Sequence, residues 1–390
     1  MTLKILHLAD LHLDHAFTAM TAVDANRRRN GLRQALQHAL ALAKDRQATA
    51  VTIGGDLFDA AYVSPDTAQY LQQQFAQAAP MRIIIAPGSK DPYTGDSVYT
   101  YIDWPSNVHI FKEPKLSALS LSDDVQLWGI GYERPDFTHT GLSDFEISRD
   151  KKAVLLIHGE LADPRVPEPR RTGVTFEIDE VSEAGFQLVL LGGDHTQLFS
   201  PEKDPIVCNP GSPEPLGFGE ERGHSVVMAE WNGETWSMEA FDISQWASRS
   251  WEFDAADYGS QAQLVEKIRA LLATEAAKIS SISPGVSDAG RLVGRVILQG
   301  QPTAGVTFDA HEMNEMLAMV YPCVHVEDRT VLSFDLDRLE AELTVRGSFV
   351  RRIRTQLEGS AQAQEPGMQA LVHRALSHGL RALEGRKVSL

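Results

Sequence analysis

Five short apolar runs in the first half of this chain end in turn-forming or chemically active residues. Leu3 to Leu8 leads to Asp10, Ala50 to Ile53 to Gly54-Gly55-Asp56, and Arg82 to Ile85 to Pro87-Gly88. Ala153 to Ile157 leads to His158, and Leu188 to Leu191 to Gly192-Gly193-Asp194-His195. Runs so short and largely apolar read as buried strands. Between them, Asp24 to Arg46 carries Leu32, Ala35, Leu36, Ala39, Leu40 and Ala43 at helical spacing, and a second helix is expected near Asp66 to Ala79. The alternation of strand, polar tip, helix and strand implies an α/β stack with its chemistry where strand ends converge.

From about residue 125 the pattern becomes richer in strands. Val125 to Ile130 is one, and Val226 to Glu230 with Thr235 to Ala240 form a hairpin around Asn232-Gly233, a strong turn signal. A boundary falls near Ser244 to Ser250. Beyond it the sequence predicts a helix over Gln261 to Lys278, a flexible stretch from Ser280 to Gly290, and a strand over Leu292 to Leu298. A helix near Asp309 to Met319 and strands around Cys323 to Val326 and Thr330 to Leu332 complete a small α+β unit. Two helical stretches, Asp335 to Leu357 and Met368 to Leu383, close the chain. The tail is locally basic through Arg346, Arg351, Arg352, Arg354, Arg374, Arg381, Arg386 and Lys387. Such a face is either solvated or a docking surface for a partner.

At 390 residues the chain exceeds one ordinary core. No apolar run is long enough to span a bilayer, and the N-terminal run is too short for a signal peptide. Cys208 and Cys323 stand far apart, outside any metal-ligand spacing, and are expected as reduced, partly buried thiols of a cytoplasmic protein. The formal net charge of −17 argues against a broadly basic nucleic-acid surface. Any grip on DNA must therefore be local, metal-assisted or supplied by a partner.

The chemistry concentrates in Asp10-Leu11-His12, in Gly55-Asp56-Leu57-Phe58-Asp59, and in the strand-tip histidines His158 and His195. A carboxylate and an imidazole two residues apart can face one ion, and a carboxylate from a neighbouring strand can bridge two. Such oxygen and nitrogen donors suit Mn, Fe or Zn. Any one of these histidines alone is more simply a hydrogen-bonded surface residue; their succession on strand ends is what points to a metal centre. His7 reads as a satisfied core histidine, and Arg27-Arg28-Arg29 as a solvated helix face. Asp14 and His15 read as a polar loop that could touch substrate, and Trp246 and Trp251 as packing at a domain junction. His109, His139 and His224 receive no role.

The order of these motifs resembles the calcineurin-like metallophosphoesterase superfamily. His7 to Asp14, Gly55 to Asp59 and Asn209-Pro210-Gly211-Ser212-Pro213 are similar to the SbcD-like DNA repair nucleases, especially their YhaO-type branch. The resemblance covers about residues 1–245 and weakens beyond, with traces at Arg291 to Gly300 and Leu343 to Arg354. It implies a metallophosphoesterase β-sandwich flanked by helices (1–245), a small α+β capping domain (246–334) and a C-terminal helical, partner-binding region (335–390). It also implies a homodimer, DNA as substrate and an SMC-like coiled-coil ATPase as partner.

Through the same resemblance, Asp10, His12 and His195 match the ligands of a first metal, expected to be Mn2+, and Asp56 matches the bridging carboxylate. A second metal would be held by Asp56, His158, an asparagine and a further histidine. Ser89 stands at the asparagine's place and Gly193 at that histidine's, so only Asp56 and His158 remain. Lys90 replaces the family's proton-donating histidine, while the acid that pairs with it, Asp59, is retained. The expectation is that the Lys90 ammonium pairs with Asp59 and supplies some of the second metal's charge, favouring phosphate binding over turnover. Asp194 could complete a second metal site if its loop re-aims it, but at a strand-like tip it should point away. The resulting alternatives are a hydrolase with an altered site and an inactive subunit that binds DNA ends.

Overall fold

The computed structural model describes residues 2–134, 136–142, 147, 150–162, 173–221, 224–282, 291–303, 306–330 and 336–362, together with 372, 375–376, 379–380 and 382–383. Among them the chain divides into two compact units, one of Met1–Ser250, Ala276–Gly294 and Tyr321–Cys323, the other of Trp251–Glu275, Arg295–Val320 and Val324–Leu390.

The first unit is built on two sheets. One has the strand order Trp236–Asp242, Ser225–Trp231, Leu3–Leu8, Ala50–Ile53, Arg82–Ile85, Val108–Ile110. Its four strands from Leu3–Leu8 to Val108–Ile110 run parallel, with Leu8 opposite Ile53 and Ile53 opposite Ile85. The other has the path Leu198–Ser200, Val207–Asn209, Leu188–Gly192, Lys152–Leu161, Val125–Gly129, Ser117–Ser120. Gly173–Phe176 pairs beside the end of Lys152–Leu161, and Thr138–Thr140 pairs with Gly173–Phe176.

The apolar runs are buried on both faces, as their composition requires. Leu3, Ile5, Ile84 and Trp231 of the first sheet share a core with Leu127, Val154, Leu156 and Leu190 of the second. The opposite faces are covered too. Leu6, Leu8, Val51 and Ile83 pack with Leu32, Leu36, Leu71 and Phe75 of the helices Ala22–Asp45 and Pro65–Ala78. Leu155, Ile157 and Val189 pack with Val181 and Phe186. The result is the expected helix-flanked β-sandwich. Each fully buried leucine contributes about 1.5–3 kcal/mol relative to exposure. Both helices start on side-chain caps: Thr21 accepts from the Asp24 N–H at 3.3 Å, and Ser64 accepts from Thr67 at 3.2 Å ahead of Pro65.

Several local expectations change. The strand leading to His158 does not end there but runs on to Leu161. Arg28 is not solvated: it is 1% exposed, its guanidinium lies 4.4 Å from the Trp246 ring and 5.1 Å from Phe17, and it donates to the Pro215 carbonyl. Arg27, by contrast, is exposed and pairs with Asp24 at 3.2 Å. Cys208 and Cys323 are free and buried.

In the second unit, Asn314 of the helix Ala310–Ala318 clamps Val326, donating to its carbonyl at 3.1 Å and accepting from its N–H at 2.7 Å. The predicted helix from Asp335 to Leu357 is two, Leu336–Ala341 and Val345–Gln362, because the Thr344 hydroxyl accepts from Gly347 at 3.1 Å and starts a new helix. Its arginines are engaged locally: Arg346 with Glu342 at 2.7 Å, and Arg354 with Asp337 at 2.7 Å and Glu340 at 2.5 Å. Residues 283–290 of the expected flexible stretch, Val331 and Leu332 of the expected last strand, and most of Met368 to Leu383 lie outside the described residues. Among the described residues, no helix is long and apolar enough to cross a membrane.

Candidate metal centre

Parallel register brings the strand ends to one place. Asp10 and Asp56 follow neighbouring strands of the first sheet, and Gly192, opposite His158 in the second, leads directly to His195. The tips are cross-braced by backbone bonds from Asp10 N–H to the Gly55 carbonyl (3.1 Å), His12 N–H to Asp56 (2.8 Å) and Leu13 N–H to Leu57 (3.0 Å). Asp10, His12 and Asp56 all take left-handed backbone, at φ 52°, 48° and 51°. For non-glycine residues such strain costs on the order of 1–3 kcal/mol each and persists where the surroundings enforce it, typically at functional sites.

Three imidazoles share one design. His12 donates Nδ1–H to Asp59 at 2.6 Å, His195 turns Nδ1 to Glu220 at 3.3 Å, and His158 donates Nδ1–H to the Gly54 carbonyl at 3.0 Å. Each anchor fixes the tautomer and leaves Nε2 with its lone pair directed inward, the arrangement that metal-bound histidines adopt. The Nε2 atoms of His12 and His195 face each other at 3.2 Å. At that distance the two nitrogens are compatible only with a proton or a metal ion shared between them. Nε2 of His12 and Nε2 of His158 each stand 3.7 Å from Asp56 Oδ2.

The charges are equally unbalanced. Asp10 and Asp56 are both buried. Burial, with Asp56 beside it, pushes the Asp10 carboxyl above its ordinary range. Burial alone would depress His158, but Asp56 and Asp10 outweigh it and raise the ring. The same contest, won by Glu220 and Asp10, lifts His195 to about 9. A divalent cation would offset the buried carboxylate charge and take the place of protons on the converging nitrogens. One donor atom from each of Asp10, His12 and His195 lies within 4.8 Å of the others, and the same holds for Asp10, Asp56 and His158. The donor set fits divalent metals of the Mn, Fe or Zn kind. Asp10 belongs to both groups.

The other half of the sequence expectation changes more. Lys90 does not pair with Asp59. Its side chain is exposed, and both Asp59 oxygens are taken, Oδ1 by His12 and Oδ2 by His15 at 2.7 Å. These bonds outweigh burial and hold the Asp59 carboxyl below the usual range. What Lys90 gives the site is its backbone N–H, donated to Asp56 Oδ1 at 2.7 Å. Ser89 Oγ lies 3.5 Å from Asp56 Oδ2. Gly193 donates its N–H to Asp10 at 2.9 Å. At φ 119° a Cβ there would stand 2.8 Å from the Gly159 carbonyl, so this backbone has no room for a side chain. Asp194 is exposed and accepts from Thr196 N–H at 2.9 Å.

Two contributors escaped the sequence, and a third, His15, was read only as a polar-loop residue that could touch substrate. His15 is bound to Asp59 rather than loose in a polar loop. Glu220 orients His195 from a loop with no motif. Asp91, fully buried, accepts from the N–H groups of Gly88 (2.6 Å), Asp56 (2.9 Å) and Leu57 (2.7 Å) and from the Tyr99 hydroxyl (2.6 Å). Burial and nearby Asp56 push its carboxyl up to about 6. Asp14 has a structural task, accepting from Ser64 N–H at 2.8 Å. His224 is held by the Ser212 and Glu220 carbonyls at 3.0 and 2.7 Å. His7 is the satisfied core histidine expected, between Thr52 Oγ1 and the Leu191 carbonyl.

The chain is 24% identical over 237 residues to YhaO of Bacillus subtilis (strain 168), described as an uncharacterized metallophosphoesterase. That match covers 58% of this chain and 57% of the relative's length. Among solved structures, TT1561 of Thermus thermophilus is 15% identical, covers 62% of this chain and 99% of its own, and has a TM-score of 0.38. Zinc-bound Vps29 of Entamoeba histolytica is 12% identical, covers 61% and 98%, and has a TM-score of 0.26. The calcineurin-like phosphoesterase model matches residues 3–197, the span that carries Asp10, His12, Asp56, His158 and His195, and the chain belongs to that family.

Proposed function

We propose that this protein is a metal-dependent phosphodiesterase that hydrolyses DNA, an SbcD-like exonuclease subunit with an altered active site. The observation that carries hydrolysis is the preparation of the histidines: three Nε2 lone pairs, each fixed from behind, converge on two buried carboxylates. A centre kept only for folding has no need of that donor set or of three strained backbones around it. Asp10, His12 and His195 would hold one ion and His158, with Asp10 close by, a second; Asp56, 3.7 Å from both His12 and His158, is placed to serve both, with Mn2+ the metal we favour. When bound, such ions supply positive charge to phosphoryl oxygens and make water a better nucleophile near neutral pH.

This chain's own residues set the rest. Asp59, Glu220 and the Gly54 carbonyl orient the rings, and Asp91 ties the Gly88 loop to the Asp56 loop. DNA as substrate, a homodimer, an SMC-like ATPase partner and a cytoplasmic setting rest on the motif resemblance. The net charge of −17 is compatible with a subunit whose grip on DNA is local or shared.

A second function, a DNA-end-binding subunit without turnover, is favoured by one feature: Ser89 and Gly193 offer a second ion neither an amide nor an imidazole side chain. The two separate in a Mn2+-dependent nuclease assay on single- and double-stranded DNA, with metal content read on the same samples. Hydrolysis abolished in Asp56→Ala, with about two ions per wild-type chain, is the result expected. No cleavage above the Asp56→Ala background, with about one ion bound, would establish the binding subunit instead.

A further inference from the structure

Asp59 holds two imidazoles at once, and of the two only His12 also faces Asp10 and His195. Its Oδ1 takes Nδ1–H of His12 and its Oδ2 takes Nδ1–H of His15, at 2.6 and 2.7 Å. His12 turns its other nitrogen inward to His195. Among the described residues, Nε2 of His15 makes no hydrogen bond, and the side chain is 34% exposed. The ring does not swing freely. Asp59 fixes one edge, and Phe17 meets it edge-on at 4.8 Å. Its centroid is 6.0 Å from that of His12. A carboxylate behind Nδ1, a free Nε2 in front and a fixed ring plane are what a proton-transferring histidine needs. The exposed Lys90 side chain has no such support.

We propose that His15, held by Asp59, is a catalytic residue that donates a proton from Nε2 to the leaving oxygen of a phosphodiester. The proposal rests on the hydrolase function put forward above. In the step, the oxygen of water forms a new P–O bond and its proton passes to solvent. The P–O bond to the leaving alcohol breaks, with its electron pair on the alcohol oxygen, and the Nε2 proton of His15 moves to that oxygen. His15 regains a proton from solvent, so the proton released by water balances the one the ring takes up. Dependence on this donor follows the leaving group: an alkoxide, as in DNA, needs the proton, whereas a nitrophenolate leaves without it.

The test compares wild type, His15→Gln and His15→Ala on two esters with Mn2+, a thymidine dinucleotide and bis(4-nitrophenyl) phosphate, with Asp56→Ala as background. Each protein is also stripped of metal and titrated with Mn2+ by calorimetry. Both His15 variants should lose about 10²-fold on the dinucleotide and less than about fivefold on the aryl ester. Their Mn2+ stoichiometry and affinity should match wild type within about threefold. Equal losses on both esters, or undiminished cleavage of the dinucleotide, would overturn the role of His15 and leave the hydrolase function standing. Loss of a bound ion in both variants would also overturn it, making His15 a ligand with His12 and Asp59, whose donor atoms lie within 4.8 Å of one another. Wild type no faster than Asp56→Ala on either ester would remove both the hydrolase function and this role.

Discussion

The two halves of the metal centre are backed differently. Behind His12 and His195 stand carboxylates, Asp59 and Glu220; behind His158 stands only the carbonyl of Gly54. A carboxylate behind an imidazole fixes its orientation and strengthens the opposite nitrogen as a donor more than a neutral carbonyl does. The sparser half also has Ser89 at the edge of contact with Asp56 and Gly193 reduced to a backbone donor. It is held in the centre through shared carboxylates, since Asp10 belongs to both groups. If both halves hold an ion, the half backed by two carboxylates is expected to hold it more tightly than the half backed by a carbonyl.

The largest effect comes from removing what the halves share. Asp56→Ala deletes the carboxylate that both His12 and His158 approach at 3.7 Å. Hydrolysis should fall by at least about 10³-fold, since metal and nucleophile are lost together. Equal rates for wild type and variant would end the view of the two halves as one catalytic unit. Next in size is Asp59→Asn, which removes the charge behind His12 and keeps the shape. Mn2+ affinity in the stronger half should drop about 10–100-fold, read by calorimetry. The matching Glu220→Gln change should weaken the same half. If either variant lost only the weaker of two binding events, the assignment of strong and weak halves would be reversed.

Much of this centre was legible because ligands at strand tips must be close in sequence to the strands that carry them. Asp10, His12, Asp56, His158 and His195 all follow or end apolar runs, and periodicity finds those. Their supports obey no such rule. Glu220 comes from a loop and meets His195 only in three dimensions, and Asp91 works by accepting backbone N–H groups, which no spacing encodes. The Lys90–Asp59 pair failed for a related reason: sequence named the acid correctly but not which base reaches it first. His15, three residues beyond His12, wins because the left-handed turns at His12 and Asp14 bring the chain back past Asp59. Arg28 shows the converse, a charge read as solvated that folding buries over Trp246.

A histidine outside the centre supplies the next test, because it too lacks a carboxylate. His7 donates Nε2–H to the Leu191 carbonyl and receives a bond from Thr52, and burial pulls it down from 6.5 to about 4. The unfolded chain therefore takes up the proton first as pH falls. The contribution of neutral His7 is complete above about pH 6.5 and is lost progressively toward pH 4, by about 2 kcal/mol at pH 5. Urea unfolding of wild type and His7→Gln should show their stability gap shrinking by about that amount between roughly pH 7.5 and pH 5. A gap constant with pH would mean that packing alone, and not the missing counter-charge, governs this ring.

The smallest expected effect addresses the weak half directly. Ser89 is partly exposed and its hydroxyl stands 3.5 Å from Asp56 Oδ2, so a longer amide side chain has room to reach the same region. Ser89→Asn would add a carbonyl oxygen to Asp10, Asp56 and His158, a neutral donor of the kind borderline and hard cations accept. Its gain should be modest, because the histidine behind that half still rests on the Gly54 carbonyl and Gly193 still contributes no ring. Mn2+ affinity of the second binding event should rise about three- to tenfold in calorimetry, with the first unchanged, by analogy with the loss when a supporting partner is removed. A rise in both events would show that the halves titrate as one site, whereas no rise in either would trace the weakness to the backing of His158 and not to the missing ligand.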